Sequence, residues 1–264
     1  MFVIEVPYFD LDQIYNSGQV PRWIKLRDGK YVVQHQDKVL KIEQQKNKLL
    51  MSCNDQEFFE IWYEYFDLRT DYMEVNHTVQ SKVKKFKVPA RRGNGIHIIN
   101  QDQFELYVYC KLIQFVGYEK AKDLMNKIAE KYGTMHKQAM REAGRVTWYE
   151  WPSPEQLLEQ LDREEVTGKL KRFLRKLSDA IVNHDYAFTH NGNELFELLG
   201  RHKLESFPVI GIEETIEKNF ECDVDEFKET YLENFEYAGI AYLYVLHHIS
   251  NPPREVKLIY GFGR

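Results

Sequence analysis

Cysteine is scarce in this chain, with three in 264 residues, and Cys53, Cys110 and Cys222 form no CxxC pair. A disulfide framework and a thiolate zinc site are both excluded by that count and spacing. Positive charge is also in short supply: 36 Lys and Arg face 41 Asp and Glu, a net charge of −5. No global attraction to nucleic acid follows, so any such binding must come from a local basic face. Long apolar runs are missing, and the opening MFVIEVPYFDLDQ is acidic where a signal peptide is basic. There is no GxGxxG loop, P-loop, internal repeat or low-complexity tract. The expectation is a soluble, cytoplasmic protein of a reducing compartment, with no membrane partner, no metal and no cofactor.

What is abundant is aromatic surface, with 17 Tyr and 16 Phe and 43% hydrophobic residues overall. A chain of this length and composition buries a real core, as one large or two small domains. Residues 31–34, 38–44 and 48–53 are apolar stretches of strand length, separated by the polar turns Arg27-Asp28-Gly29 and Gln45-Lys46-Asn47. They predict an antiparallel sheet built from hairpins. Asn54 offers an N-cap with Glu57 at N3, opening a helix through FFEIWYEYF.

From residue 101 the period becomes helical. Residues 101–115 and 118–132 read as two helices broken at Gly117, and Ser153-Pro154-Glu155-Gln156 is a capping box with Pro at N1. Further helices are predicted over 168–183, 212–220, 223–235 and 238–249. Pro252-Pro253 ends the last one, and VKLIYGF then offers a returning strand. The fold class is α+β: an antiparallel β-sheet domain over residues 1–72, with one helix, and a mainly helical domain over 73–264.

Two basic runs stand out. KVKKFKVPARRGNG (82–95) carries Lys82, Lys84, Lys85, Lys87, Arg91 and Arg92 without an acid, and Phe86 interleaved. It is the favoured candidate for phosphate contacts. The second, Lys169, Lys171, Arg172, Arg175 and Lys176, lies on one predicted helix and reads equally well as a solvated charged face. His247-His248 lies near a helix end, where imidazole suits the dipole, and with adjacent spacing the two do not share one helix face, which disfavours a metal site.

Family resemblance rests on several blocks. Tyr8-Phe9-Asp10-Leu11-Asp12-Gln13, Ser17-Gly18-Gln19 and Arg22-Trp23 are followed by Ser52-Cys53, Tyr65-Phe66-Asp67-Leu68 and Asp71-Tyr72. Gly95-Ile96-His97-Ile98-Ile99-Asn100-Gln101-Asp102, Ser153-Pro154-Glu155-Gln156-Leu157, Phe207-Pro208-Val209 and Tyr237-Ala238-Gly239 extend them. Together they resemble bacterial 8-oxoguanine DNA glycosylases of the helix-hairpin-helix superfamily, over nearly the whole length. The segment THNGNELFELLGRHKLESFPVI (189–210) resembles the hairpin and following run of that family. There the resemblance implies a catalytic Lys where this chain has Asn191, and an Asp where it has Ile210. A neutral amide is no Schiff-base nucleophile, and Ile210 stabilises no oxocarbenium ion.

At the corner between the two helices the family has a Ser-Gln-Asn-Asn-Asn loop that fills the gap left by an extruded base. Gln114 matches the Gln, and Phe115, Val116 and Gly117 replace the asparagines. Phe115 is either an apolar wedge that unstacks a base step or a buried ring closing the corner, and the second is favoured. The candidate DNA contacts are therefore Lys84, Lys85, Lys87, Arg91, Arg92, Gln114, Phe115, Tyr118, Lys171 and Arg172. Catalytic residues are unknown. His184, Asp185, His190, Asn191 and Glu213 are the candidates for a rebuilt acid/base set, although a plain loop is the favoured reading of the histidines. The resemblance implies binding of duplex DNA with a pocket for an extruded or modified base, without ordinary glycosylase or lyase activity. Two alternatives stay open. One is an enzyme that transfers an amine or amino acid onto an activated 5-hydroxymethyl-pyrimidine. The other is a protein-interaction or inhibitor module on the same scaffold.

Overall fold

The computed structural model describes residues 1–140, 144–163, 168–183, 217, 220–232 and 235–250. Its N-terminal part is a five-stranded antiparallel sheet in the order β1-β5-β4-β3-β2. The strands are β1 (Phe2–Glu5), β2 (Ile24–Arg27), β3 (Lys30–His35), β4 (Lys38–Gln45) and β5 (Lys48–Met51). Strand alternation sends Tyr31, Val33, Leu40, Ile42, Leu49 and Met51 to one face. There they pack with Phe58 and Trp62 from the helix over residues 55–65, here α2, and with Phe66 directly after it. Helix α1 (Leu11–Asn16), capped by Asp10, adds Leu11 and Ile14 to the same core. The N-cap expected at Asn54 is present, its Oδ1 accepting from Glu57 N at 2.8 Å. Glu57 does not complete a capping box: its carboxylate accepts from Trp62 Nε1 instead, at 2.8 Å.

The helical part comprises α3 (Tyr72–Lys82), α4 (Lys87–Arg92), α5 (Gln103–Val116), α6 (Tyr118–Tyr132), α7 (Pro154–Asp162) and α8 (Lys169–Val182). Residues 224–232 form α9, which widens to π geometry over Lys228–Leu232, and Ala238–Ser250 forms α10. Asp71 and Asp102 cap α3 and α5. Ser153 and Gln156 close the predicted capping box at α7. These helices share one core, with α10 contributing Ile240, Tyr242, Tyr244 and Leu246. The helix expected over 212–220 and the strand expected at VKLIYGF fall mostly or wholly outside the described residues.

Four strands were not predicted from the sequence. β1 and β2 are the two sheet edges, four residues each; β2 is exposed throughout, so no alternation marks it. The other two form a hairpin between α6 and α7, made of β6 (Met135–Met140) and β7 (Gly144–Tyr149). Met140, Val146 and Trp148 of this hairpin pack on Val32 and Val39. The second face of the N-terminal sheet is thereby covered from the helical half of the chain. Apolar residues on both faces of β3 are thus explained.

The two parts are joined by polar contacts as well. Gly95–Gln101 runs back across the N-terminal part, where Gln19 is fully buried. Gln19 donates to the His97 carbonyl at 2.8 Å and accepts from Ile99 N at 2.8 Å, while Gln101 donates to the Gln19 carbonyl at 2.7 Å. Gly95, at φ +97, passes so close that a Cβ there would lie 2.7 Å from Asp10 Cβ. Arg22 reaches into the interface and donates to Glu105 at 2.5 and 3.3 Å and to the Tyr149 carbonyl at 2.6 Å. Burial pushes the Glu105 carboxyl up, and the Arg22 guanidinium pulls it partly back.

Candidate nucleic-acid interface

The basic run 82–95 folds into a 3-10 turn (Lys84–Phe86) followed directly by α4. Its apolar residues decide which cations face outward. Phe86, Pro89 and Ala90 are buried at i, i+3 and i+4, so Lys84, Lys87, Val88 and Arg91 form the opposite, exposed face. Among the described residues, no hydrogen bond or ion pair engages the side chains of Lys84, Lys87 or Arg91. Phe86 is no surface ring: it is fully buried and packs against Phe220, Phe227 and Tyr231.

Lys85 and Arg92 turn inward. Lys85 Nζ donates to the Phe220 carbonyl at 2.7 Å and lies 3.6 Å from the Glu221 carboxylate. Arg92 lies 2.9 Å from His248 Nδ1, and burial together with this cation holds the His248 pKa below its ordinary value. Lys85 thus ties the 3-10 turn to residues 220–221, and Arg92 ties α4 to α10.

The second basic run forms α8, and its start is unusual. Gly168, at φ +86 and ψ +154, opens the helix without any side-chain cap, and no acid stands in the first turn. Lys169, Lys171 and Arg172 stand there instead, while Leu174, Leu177 and Ser178 face the core. Cations at a helix N-terminus oppose the macrodipole, and uncapped N–H groups lack acceptors. An anion at that end satisfies both. Further along the helix, Arg175 is paired with Asp162 at 2.8 Å.

The corner between α5 and α6 has the same opening. Gly117, at φ +79 and ψ +167, ends one helix and starts the next, again without a side-chain cap. Gln114 and Phe115 lie in the last turn of α5 and Tyr118 begins α6; their side chains are outside the described residues. His184, Asp185, His190, Asn191, Ile210 and Glu213 also lie outside the described residues. The structure therefore brings Lys84, Lys87 and Arg91 onto one ridge and Lys171 and Arg172 onto a helix start. It separates Lys85 and Arg92 from them. The uncapped Gly168 went unread in the sequence, although a glycine directly before a basic, acid-free helical turn is a usable signal.

An antiparallel sheet locked onto a helical body by buried polar contacts defines a known class. The chain has the fold of the DNA glycosylases. Solved structures with that fold include the 8-oxoguanine glycosylase/lyase of Clostridium acetobutylicum in its apo form. It is 25% identical, covers 93% of this chain and 95% of its own, and has a TM-score of 0.75. The same enzyme in complex with double-stranded DNA containing cytosine opposite 8-oxoguanine matches at 23% identity, 94% and 97% coverage and TM-score 0.73. The 3-methyladenine DNA glycosylase of Archaeoglobus fulgidus matches at 12% identity, 94% and 98% coverage and TM-score 0.62. The family model for the N-terminal domain of 8-oxoguanine DNA glycosylase matches residues 1–106. No curated protein matches the sequence. Residues 1–106 thus match the N-terminal domain of 8-oxoguanine DNA glycosylase, and the chain as a whole shares the fold of those enzymes.

Proposed function

We propose that this protein binds duplex DNA and handles an extruded or modified base without ordinary glycosylase or lyase chemistry. The acid-free start of α8 carries the DNA half of this reading, because its first turn gathers Lys169, Lys171 and Arg172 around a helix N-terminus, which favours an anion. The exposed ridge of Lys84, Lys87 and Arg91 supports it, as does the relative solved on DNA. The loss of chemistry rests on Asn191 and Ile210, which stand where the resemblance implies Lys and Asp. Extruding a base costs a few kcal/mol, which contacts in a pocket must return.

Fluorescence anisotropy with a labelled duplex across a salt series tests the first half. Affinity is expected to fall steeply with salt. Lys84→Ala, Lys87→Ala, Arg91→Ala and Arg172→Ala are each expected to flatten the log–log slope by roughly 1. Salt-insensitive binding, or none, overturns it. Incubation with an 8-oxoguanine duplex tests the second half: intact strands after alkaline or heat treatment are expected, and excision or nicking refutes the loss of activity.

A further inference from the structure

Arg91 faces two ways, ending the ridge and also lining an open cleft of about 540 Å³ between the N-terminal part and α3. That size lies in the range of small-molecule sites. Tyr8 forms one side of the cleft, and its backbone is unusual: φ is +56, in the left-handed region that bulky side chains rarely enter. Such a conformation costs on the order of 1–3 kcal/mol and persists only when its surroundings impose it. Here they do. The Tyr8 carbonyl lies 3.0 Å from Nε2 of the buried His97, whose ring is stacked under Tyr72 at 3.7 Å between centroids. The next residue but one is fixed as well, with Asp10 N donating to the Gly95 carbonyl at 2.9 Å. The outcome is a pinned backbone, with Tyr8 39% exposed at the cleft.

Met73, 52% exposed, adds a thioether to the same lining. The remaining lining is polar: Glu74, Asn76, His77, Gln80, Arg91 and Asn94. Gln80 is held in place by donating to Asn76 Oδ1 at 2.6 Å. Among the described residues, the His77 ring and the Arg91 guanidinium have no hydrogen-bond or ion-pair partner. One aromatic face, one polarisable sulfur, a positioned amide and an unpaired guanidinium suit a planar heterocycle that carries a phosphate.

We infer that this cleft binds a nucleotide, with the base against Tyr8 and Met73 and the phosphate on Arg91. Two sources share that chemistry: a free nucleotide, and an unpaired nucleotide at the end of a DNA strand. The ridge makes the second source reachable, since Lys84 to Arg91 spans roughly 10 Å along the helix axis and ends at the cleft. That arm rests on the DNA-binding reading above; the free-nucleotide arm does not.

Three probes separate the outcomes: deoxyadenosine monophosphate, a short blunt duplex, and the same duplex with one unpaired 3′ adenosine. The variants are Tyr8→Asn, which tolerates a left-handed φ but removes the ring, Tyr8→Phe, which keeps the ring, and Arg91→Gln. The overhang is expected to raise affinity over the blunt duplex by about tenfold, the scale of one stacked base. This gain should vanish in Tyr8→Asn and survive in Tyr8→Phe. Binding of the free monophosphate, lost in both Tyr8→Asn and Arg91→Gln, supports the free-nucleotide source. A blunt duplex that fails to bind while the monophosphate binds removes the DNA reading and leaves the cleft assignment standing. If neither monophosphate nor overhang gains anything from Tyr8, the cleft assignment is wrong.

Discussion

Both ring nitrogens of His97 face carbonyls, Phe66 at 3.1 Å and Tyr8 at 3.0 Å, yet a neutral imidazole has one proton to donate. Only the charged ring satisfies both, and its burial outweighs that second bond, lowering the pKa to about 4. The sign of the consequence is fixed. Between the ordinary pKa of 6.5 and about 4, the unfolded chain takes up a proton that the folded chain refuses. Stability therefore falls as pH drops through that window, by up to about 3 kcal/mol for this one group, and levels off below it. His35 and His247, also lowered by burial, steepen the same slope. Urea melts from pH 7 to pH 4 should show the loss, and His97→Gln should flatten part of it. An unchanged slope in the variant means that another group dominates.

At the scale of elements, two helices start from glycines in a backbone region that is essentially closed to other residues, Gly117 before α6 and Gly168 before α8. Nothing lies within 4 Å of a Cβ built at either position, so substitution there meets backbone cost alone. Gly117→Ala is expected to lower stability by about 1–3 kcal/mol in urea unfolding, without any steric clash. No loss would mean that the corner relaxes to another conformation. Elements with their own punctuation were legible in the sequence: Asn54, Ser153 and Gly117 each marked a helix boundary that the structure places there. Elements whose partners are distant were not. The edge strands β1 and β2 lack a buried stripe, and β6–β7 is held by Val32 and Val39, about a hundred residues away. The basic run was legible only in part. Its charge density was plain, while the inward stripe of Phe86, Pro89 and Ala90 decided which cations reach solvent.

Across the whole molecule, one guanidinium joins three parts of the chain. Arg22 of the N-terminal part meets Glu105 at the start of α5 and the Tyr149 carbonyl at the end of β7. Removing one partner of a buried pair leaves the other charge stranded, so Glu105→Leu should cost about 3–5 kcal/mol. Adding Arg22→Met to that variant should recover part of the loss in urea unfolding. A double variant as destabilised as the sum of the singles would show that the pair is not coupled.

The hairpin adds a consequence in time. During synthesis the first fifty residues hold a complete set of sheet strands, yet Val32 and Val39 have no cover until β7 has left the ribosome. Arg22 waits still longer in sequence terms, for a carbonyl 127 positions downstream. Pairings that distant are slow to form, and an uncovered sheet face is prone to aggregate meanwhile. The nascent chain thus passes through a stage in which this sheet is half-faced, with Val32 and Val39 lacking their native cover until translation reaches residue 149.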